Sequence, residues 1–162
     1  ASSAASDVYK RQIVRVLKAF KGVEHRIEFV RELDGVTYYN DSKGTNPDSS
    51  IKALEAMTKP TLIIAGGYDK HSEFDGFIDA FGGKVKLMVL IGTTAPQIEK
   101  TARAHGFDNI INTDSLENAV QICHDNAVSG DVVLLSPACA SWDMFKSYEE
   151  RGRLFKEYVN RF

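Results

Sequence analysis

The sequence predicts an α/β domain with a mostly parallel sheet, helices on both faces and an N-terminal β-hairpin. Short apolar runs rich in β-branched residues alternate with stretches of helical length, and a tight-turn signal, Asp34-Gly35, joins two strand-like segments near the start. Continuous apolar runs suit strands that are covered on both faces, as in parallel sheets. The 162 residues suit one domain, which at this size buries roughly 68–70% of its unfolded surface.

Composition excludes several classes of protein. With 43% hydrophobic residues, nine Phe and six Tyr, the chain is too apolar to be disordered. The net charge of −2 provides no basic surface for nucleic acid, and the longest apolar runs fall far short of the roughly 20 residues of a membrane helix. Two cysteines are too few for a disulfide framework, which favours a reducing, cytoplasmic setting.

The first twelve residues differ in character from the rest. They begin with small and polar residues and lack the charged start and apolar core of a signal peptide. We expect residues 1–12 to be a non-native remnant and residues 13–162 to form the domain; a flexible native arm is the alternative. Apolar residues between Ile13 and Phe20 predict a short amphipathic helix that ends at Gly22.

The remaining elements follow from local patterns. Residues 26–33 and 36–39 form the two arms of the hairpin. Further strands are expected at 61–65, 85–91, 109–112 and 132–136. Helices are expected at about 47–58, 73–81, 95–106 and 115–127, with a long final helix from about 143 to 161.

Ligands of an open α/β sheet bind at the carboxyl ends of the strands, and this rule selects three loops. The first loop, residues 40–47, leads into a helix with Asn46 as N-cap and Pro47 at the first helical position. The free N–H groups of such a helix end favour an anion. Lys43 and Thr45 stand just before that end.

Asp41 is the one acid of this loop, and its carboxylate is able to accept hydrogen bonds from the hydroxyls of a sugar. The alternative is that Asp41, Ser42 and Asn46 only satisfy turn and cap donors, as such residues commonly do. Because that alternative leaves Lys43 unexplained, we favour a binding loop.

The second loop, residues 66–70, directly follows the strand at 61–65. Its paired glycines, Gly66 and Gly67, let the backbone turn sharply and approach a ligand closely. Lys70 would supply a second cation at the rim of the site. A surface lysine in a glycine turn is the alternative.

The third loop, residues 136–141, lies between the last strand and the last helix. We expect Ser141 to cap a helix that begins near residue 142, so that Tyr148 lies one turn inside it and reaches a ligand held at Ser141. The chain has no G-x-S-x-G motif, and Cys139 is therefore interpreted as a small buried residue; a catalytic Ser or Cys is the alternative.

Together the three loops suit a small ligand with one or more carboxylates. The sequence contains neither a G-x-x-x-x-G-K-[ST] phosphate-binding loop nor a G-x-G-x-x-G motif, and its four His have no metal-ligand spacing, so no metal site is expected. The residues alone therefore predict a carboxylate-binding α/β domain without a P-loop.

Three segments also carry a family resemblance. They are residues 25–29 (His-Arg-Ile-Glu-Phe), 40–46 (Asn-Asp-Ser-Lys-Gly-Thr-Asn) and 134–145, followed by Arg151-Gly152. From about Ile13 to its end, the chain resembles the C-terminal domain of the Mur ligases. The Ser-Pro-Ala-Cys-Ala-Ser stretch favours the branch of the family that adds D-glutamate.

The resemblance implies a Rossmann-like fold and a place in a larger enzyme. Mur ligases combine a domain for the UDP substrate, a central P-loop ATPase and a C-terminal domain that brings the amino acid. In the D-glutamate branch, ATP with Mg²⁺ phosphorylates the carboxylate of UDP-N-acetylmuramoyl-L-alanine, and the amine of D-glutamate attacks the acyl phosphate. The chain is then expected to be a monomeric domain that contacts D-glutamate and part of ATP, holds no cofactor of its own and is inactive alone.

The resemblance also implies roles for individual residues. Four residues would hold the carboxylates of D-glutamate: Thr45, Lys70, Ser141 and Tyr148, the last through its backbone. Three would contact the nucleotide: His25 near the adenine, Arg26, and Asp41 at the ribose. Lys43 would be the catalytic residue, beside the reacting phosphate. The chain departs mildly from the family pattern at Trp142 and Tyr148, where an aliphatic residue and a Phe are expected.

Two alternatives of other classes stay open. One is a free-standing α/β module that binds a nucleotide or small carboxylate, and the other is a scaffold domain without a ligand. A scaffold does not need Lys43 and Lys70 at strand ends, so the motifs favour the enzyme domain.

Overall fold

The computed structural model describes residues 2–19, 22–69 and 71–162. The described residues contain six strands: β1 (Glu28–Leu33), β2 (Val36–Asn40), β3 (Thr61–Ala65), β4 (Val85–Leu90), β5 (Ile110–Asn112) and β6 (Val132–Leu135). They also contain six helices: α1 (Ser2–Ala19), α2 (Pro47–Ala56), α3 (Asp75–Asp79), α4 (Ala95–Ala104), α5 (Leu116–Asn126) and α6 (Tyr148–Val159).

The strands form one sheet in the order β1-β2-β6-β3-β4-β5. β1 and β2 are antiparallel, and every other neighbouring pair is parallel. Asp34 and Gly35 have φ values of 53° and 78°, the left-handed conformation that a two-residue hairpin turn requires. The predicted α/β class, with a hairpin leading into a mostly parallel sheet, is confirmed.

Alternate side chains of the central strand β3 pack into opposite layers. Ile63 packs in one apolar cluster with Phe77 and with residues of α2 and α4. Leu62 packs in a second cluster with Phe155 and with residues of α5. Because both faces of the sheet are covered by helices, β3 is buried along its whole length.

For every helix and strand from β1 to β6 in chain order, the predicted first and last residues lie within two residues of the observed ones. The N-terminal helix differs, because α1 is continuous over Ser2–Ala19 and does not begin at Ile13. Its residues 4–12 are exposed. The assignment of residues 1–12 to a non-native remnant stays a prediction, and Phe20 lies outside the described residues.

The start of the final helix is also corrected. α6 begins at Tyr148, with Ser147 as N-cap, so the expected cap at Ser141 was wrong. The Ser147 hydroxyl accepts a hydrogen bond from the N–H of Glu150 (3.1 Å), and the Glu150 carboxylate accepts one from the N–H of Lys146 (2.6 Å). This Ser-x-x-Glu capping arrangement places the N-cap six residues after Ser141.

Candidate functional site

The carboxyl ends of the adjacent strands β2, β6 and β3 bring the three predicted loops together. The second and third loops are joined by a pair of backbone hydrogen bonds, Tyr68 N–H to Ala140 O (2.9 Å) and Ala140 N–H to Tyr68 O (2.8 Å). Gly67 lies against this junction with φ +146°, and a Cβ there would be 2.4 Å from the Ala140 oxygen. Only glycine permits so close a contact between the loops.

Asp41 links the first loop to the third. Its side chain is only 4% exposed, and its carboxylate accepts hydrogen bonds from the Ser136 hydroxyl (2.7 Å) and the Ile27 N–H (3.1 Å). Burial raises the pKa of Asp41, although both hydrogen bonds oppose this shift. The Asp41 carboxylate therefore has a structural role, but its donors are distant in sequence and are not the turn and cap donors of the alternative. Its remaining lone pairs can still accept from a ligand.

A cavity of about 140 Å³, here called the basic cavity, lies beside Asp41 and the start of α2. It is lined by Arg26, Ile27, Asp41, Lys43, Gly44, Ser49 and Lys52. Three cationic side chains against one carboxylate make it suitable for an anion. The structure thus brings the predicted residues Arg26, Asp41 and Lys43 to one place.

The His25 side chain does not line the basic cavity. It is 5% exposed, its Nδ1 accepts a hydrogen bond from Asn40 Nδ2 (2.9 Å), and its ring lies edge-on to Tyr148. A Cβ on Gly152 would be 2.2 Å from His25 Nδ1, so the ring fills the space beside that glycine. Burial lowers the pKa of His25, which favours the neutral ring.

A second cavity of about 410 Å³, here called the hydroxyl cavity, lies between the first loop and the start of α6. It is lined by Thr45, Ala140, Ser141, Trp142, Lys146, Ser147, Tyr148 and Glu149. It contains three of the four residues predicted to hold carboxylates, while Lys70 lies outside the described residues. Tyr148 is the first residue of α6, so its backbone N–H has no partner inside the helix and can serve a ligand.

A buried guanidinium lies behind both cavities. Arg151 is 1% exposed and donates to the Ser42 hydroxyl (2.9 Å), the Ser42 carbonyl (2.8 Å) and the Cys139 carbonyl (3.1 Å). The Ser42 hydroxyl in turn donates to the Tyr148 carbonyl (2.7 Å). Burial lowers the pKa of Arg151 to about 10, and the carboxylates of Asp143 and Asp41 oppose this shift only in part.

Cys139 packs at the base of the third loop. It is fully buried, its sulfur lies 3.3 Å from the Thr94 hydroxyl, and burial raises the pKa of its thiol to about 12. A thiol in this state is a poor nucleophile. The prediction that Cys139 is a small buried residue is confirmed.

Four residues near the site were not predicted from the sequence: Lys52, Lys146, Glu149 and Arg151. The i, i+3 spacing of Ser49 and Lys52 on a predicted helix could have indicated a shared face. The Ser-x-x-Glu signal at 147–150 could have placed the start of α6, and hence Lys146, at the cavity. Arg151 belongs to the segments that carry the family resemblance, but no local pattern indicates its partners.

Within residues 2–19, 22–69 and 71–162, no three His, Cys, Asp or Glu side chains come together to hold a metal ion. The described residues therefore do not fit a protein-held Mg²⁺. No helix among the described residues combines the length and apolar character needed to cross a membrane.

The sequence matches the family model "Mur ligase, glutamate ligase domain" over residues 25–139. The chain is 62% identical to the UDP-N-acetylmuramoylalanine--D-glutamate ligase of Lachnospira eligens, over 91% of this chain and 33% of the relative. It is 52% identical to the ligase of the same name from Pelotomaculum thermopropionicum, over 98% of this chain and 35% of the relative. The chain therefore spans about a third of the length of these curated relatives.

Solved structures share the fold at low sequence identity. The UDP-N-acetylmuramate-alanine ligase MurC of Thermotoga maritima superposes with a TM-score of 0.63 at 15% identity, covering 91% of this chain and 32% of that one. Escherichia coli FolC in complex with ADP gives a TM-score of 0.59 at 16% identity, covering 86% and 32%. The family match and the identities to the curated relatives establish that the chain belongs to the Mur ligase family and corresponds to its C-terminal, glutamate ligase domain.

Proposed function

We propose that this chain is the amino-acid-binding domain of an ATP-dependent ligase that joins D-glutamate to UDP-N-acetylmuramoyl-L-alanine in peptidoglycan synthesis. The observation that carries the proposal is the hydroxyl cavity, where Thr45, Ser141 and the first N–H of α6 converge. Relatives at 52–62% identity with this activity in their names support it.

D-Glutamate suits this cavity because its two carboxylates need several fixed donors. The hydroxyls of Thr45 and Ser141 and the backbone N–H of Tyr148 are such donors, and Lys70 would add a cation. Hydrogen bonds to a charged group each contribute about 1.5–3 kcal/mol net. Fixed donors also orient the amine for attack, which supplies much of the rate of a ligation step.

The nucleotide would occupy the basic cavity. ATP, when bound, supplies the phosphoryl group that activates the acceptor carboxylate. Arg26 and Lys43 would offset the phosphate charge, and Asp41 would accept from the ribose with its remaining lone pairs. Lys43 is two residues from Thr45, so it would lie between the nucleotide and the amino acid as the catalytic residue. His25 would lie near the adenine, with only the edge of its buried ring, 5% exposed, available for contact.

The chain alone is expected to have no ligase activity. Its 162 residues contain no P-loop sequence, and the relatives that carry the activity in their names are about three times as long. Phosphate release that depends on ATP, D-glutamate and the UDP substrate together, measured with this chain alone, would contradict the expectation.

The binding proposal is tested by NMR titration of the chain with D-glutamate. Amide shifts should cluster at Thr45, Lys70, Ser141 and Tyr148, while ATP should shift residues around the basic cavity. Affinity is expected to be weak, because donors from the rest of a full-length ligase do not contribute. If the chemical shifts of these amides do not change at high ligand concentration while those of other amides do, the proposed binding site is wrong.

A further inference from the structure

We infer that Lys146 is a residue through which the hydroxyl cavity selects an amino acid with a charged side-chain carboxylate over an uncharged analogue. The inference rests on the proposed function, since it assumes that the cavity binds the amino acid. It adds a specificity-determining residue to that function and a physical reason for a dicarboxylic substrate.

Lys146 is held at the cavity by its backbone. Its N–H donates to the Glu150 carboxylate at 2.6 Å, which ties the residue to the first turn of α6. Its side chain is exposed, lines the cavity, and has no hydrogen bond or ion pair with any other described residue. The ammonium group of Lys146 is therefore available to a ligand without first breaking a contact to another described residue.

The rest of the cavity wall distinguishes poorly between a carboxylate and a carboxamide. The hydroxyls of Thr45 and Ser141 and the N–H of Tyr148 can donate equally to either group, because both present an oxygen acceptor. A carboxamide also presents an NH₂ group, and a lysine ammonium has only donors to offer it. Lys146 therefore attracts the carboxylate and gains little from the amide.

The other charges near the cavity strengthen this assignment. Among the described residues that line the cavity, Lys146 is the one cation and Glu149 is the one carboxylate. Arg26, Lys43 and Lys52 line the basic cavity instead. The arrangement of one positive and one negative group complements an amino acid that carries an ammonium and an additional carboxylate.

The experiment compares D-glutamate with D-glutamine, which has the same shape but no side-chain charge. Trp142 is the only tryptophan of the chain and lines the cavity, so its fluorescence, together with NMR amide shifts, reports binding. The variants are Lys146→Gln and Lys146→Arg, with Lys100→Gln on the exposed face of α4 as the matched control. Amide spectra establish that each variant is folded.

We expect the wild-type chain to bind D-glutamate more tightly than D-glutamine. Lys146→Gln should weaken D-glutamate binding about fivefold, the size expected of a partly exposed charge contact, and leave D-glutamine binding unchanged. Lys146→Arg should keep most of the preference, and Lys100→Gln should keep all of it.

Three results would overturn the inference and leave the proposed function intact. Unchanged D-glutamate binding by Lys146→Gln would remove Lys146 from the site, and equal weakening of both ligands would show that its charge does not select. Equal binding of the two ligands by the wild-type chain would show that the cavity has no charge preference. If the wild-type chain binds neither ligand, the proposed function itself fails and takes the inference with it.

Discussion

Arg151 holds both oxygen atoms of Ser42, a residue 109 positions earlier in the chain, through Nη2 to the carbonyl (2.8 Å) and Nε to the hydroxyl (2.9 Å). Ser42 lies between Asp41 and Lys43 of the basic cavity, and the third Arg151 bond reaches Cys139, just before the residues of the hydroxyl cavity. One buried side chain therefore joins the loops that line the two cavities.

Replacing Arg151 should destabilise the domain. Arg151→Met removes the hydrogen-bond donors of buried oxygens of Ser42 and Cys139. We therefore expect the free energy of unfolding to fall by about 2–3 kcal/mol. Urea denaturation followed by circular dichroism measures this. Arg153→Met, two residues further along α6 and exposed, is the control and should change stability by less than about 0.5 kcal/mol. A similar small change for both variants would contradict the structural role of Arg151.

Adding a methyl group at Gly152 should also destabilise the domain, although alanine favours a helix over glycine by about 1 kcal/mol. The new Cβ would lie 2.2 Å from His25 Nδ1 and 3.0 Å from Asn40 Nδ2. We expect Gly152→Ala to lower the free energy of unfolding by about 1–3 kcal/mol, the range of overpacked cores.

The His25→Ala background is the control for Gly152→Ala, because it removes the ring that the methyl group meets. In that background Gly152→Ala should lower the free energy of unfolding by less, or should raise it. Wild type, the two single variants and the double variant form a double-mutant cycle. Thermal unfolding of these four proteins gives the coupling energy between positions 25 and 152. A cost at Gly152 that is independent of His25 would contradict the contact.

His105 should make stability depend on pH. Its Nε2 lies 2.7 Å from Asp75 and its Nδ1 3.0 Å from Asp79, and the hydrogen bond to Asp75 is the main reason why the pKa of His105 is raised above its ordinary value. Both ring nitrogens can donate only when the imidazole is protonated. The stabilisation is thus fully present below the ordinary His pKa and is lost as pH rises through the raised value.

The measurement is the free energy of unfolding of wild type and His105→Gln below about pH 6 and above about pH 8. We expect the wild type to be more stable than the variant at the lower pH, and the difference to shrink at the higher pH. Because the three side chains are partly exposed, added salt should reduce the effect. A difference that grows with pH would contradict the assigned contacts.

Removing the Ser141 hydroxyl should weaken ligand binding and leave the fold intact. Ser141 lines the hydroxyl cavity, and one hydrogen bond to a charged group is worth about a tenfold change in Kd. We expect Ser141→Ala to raise the Kd for D-glutamate by about this factor in an NMR titration. Ser129→Ala, an exposed serine next to the hairpin turn, should leave the Kd unchanged.

The two cysteines should be unreactive in the native protein. Cys123 and Cys139 are fully buried, and burial raises the pKa of both thiols. A chromogenic disulfide reagent should detect no thiol in the folded chain and two thiols in denaturant. Rapid labelling of Cys139 in the folded chain would contradict its burial and would reopen its interpretation as a nucleophile.

Local signals were sufficient for most of the architecture. The Asp34-Gly35 turn, the apolar run at 61–65 and the Asn46-Pro47 helix start each depend on neighbours in the chain, and each occurs where it was predicted. The family motifs likewise indicated the loops that line the two cavities, because a motif is a property of consecutive residues.

Local signals failed where two similar choices competed. Ser141 and Ser147 are both able to cap a helix, but the Ser141 carbonyl accepts from the N–H groups of Met144 and Phe145 in an irregular turn, and α6 starts only at Tyr148. The later start places Lys146 and the first N–H of α6 at the hydroxyl cavity.

The sequence by itself thus determined the α/β class, the order of the elements and the loops that form the site. The tertiary structure decided that Asp41 is engaged by Ser136, that the ring of His25 is buried, and that Arg151 joins the loops. The physical reason is range, since hydrogen-bond partners 95 and 109 positions apart leave no trace in local periodicity. They exist only once the sheet brings its strand ends together.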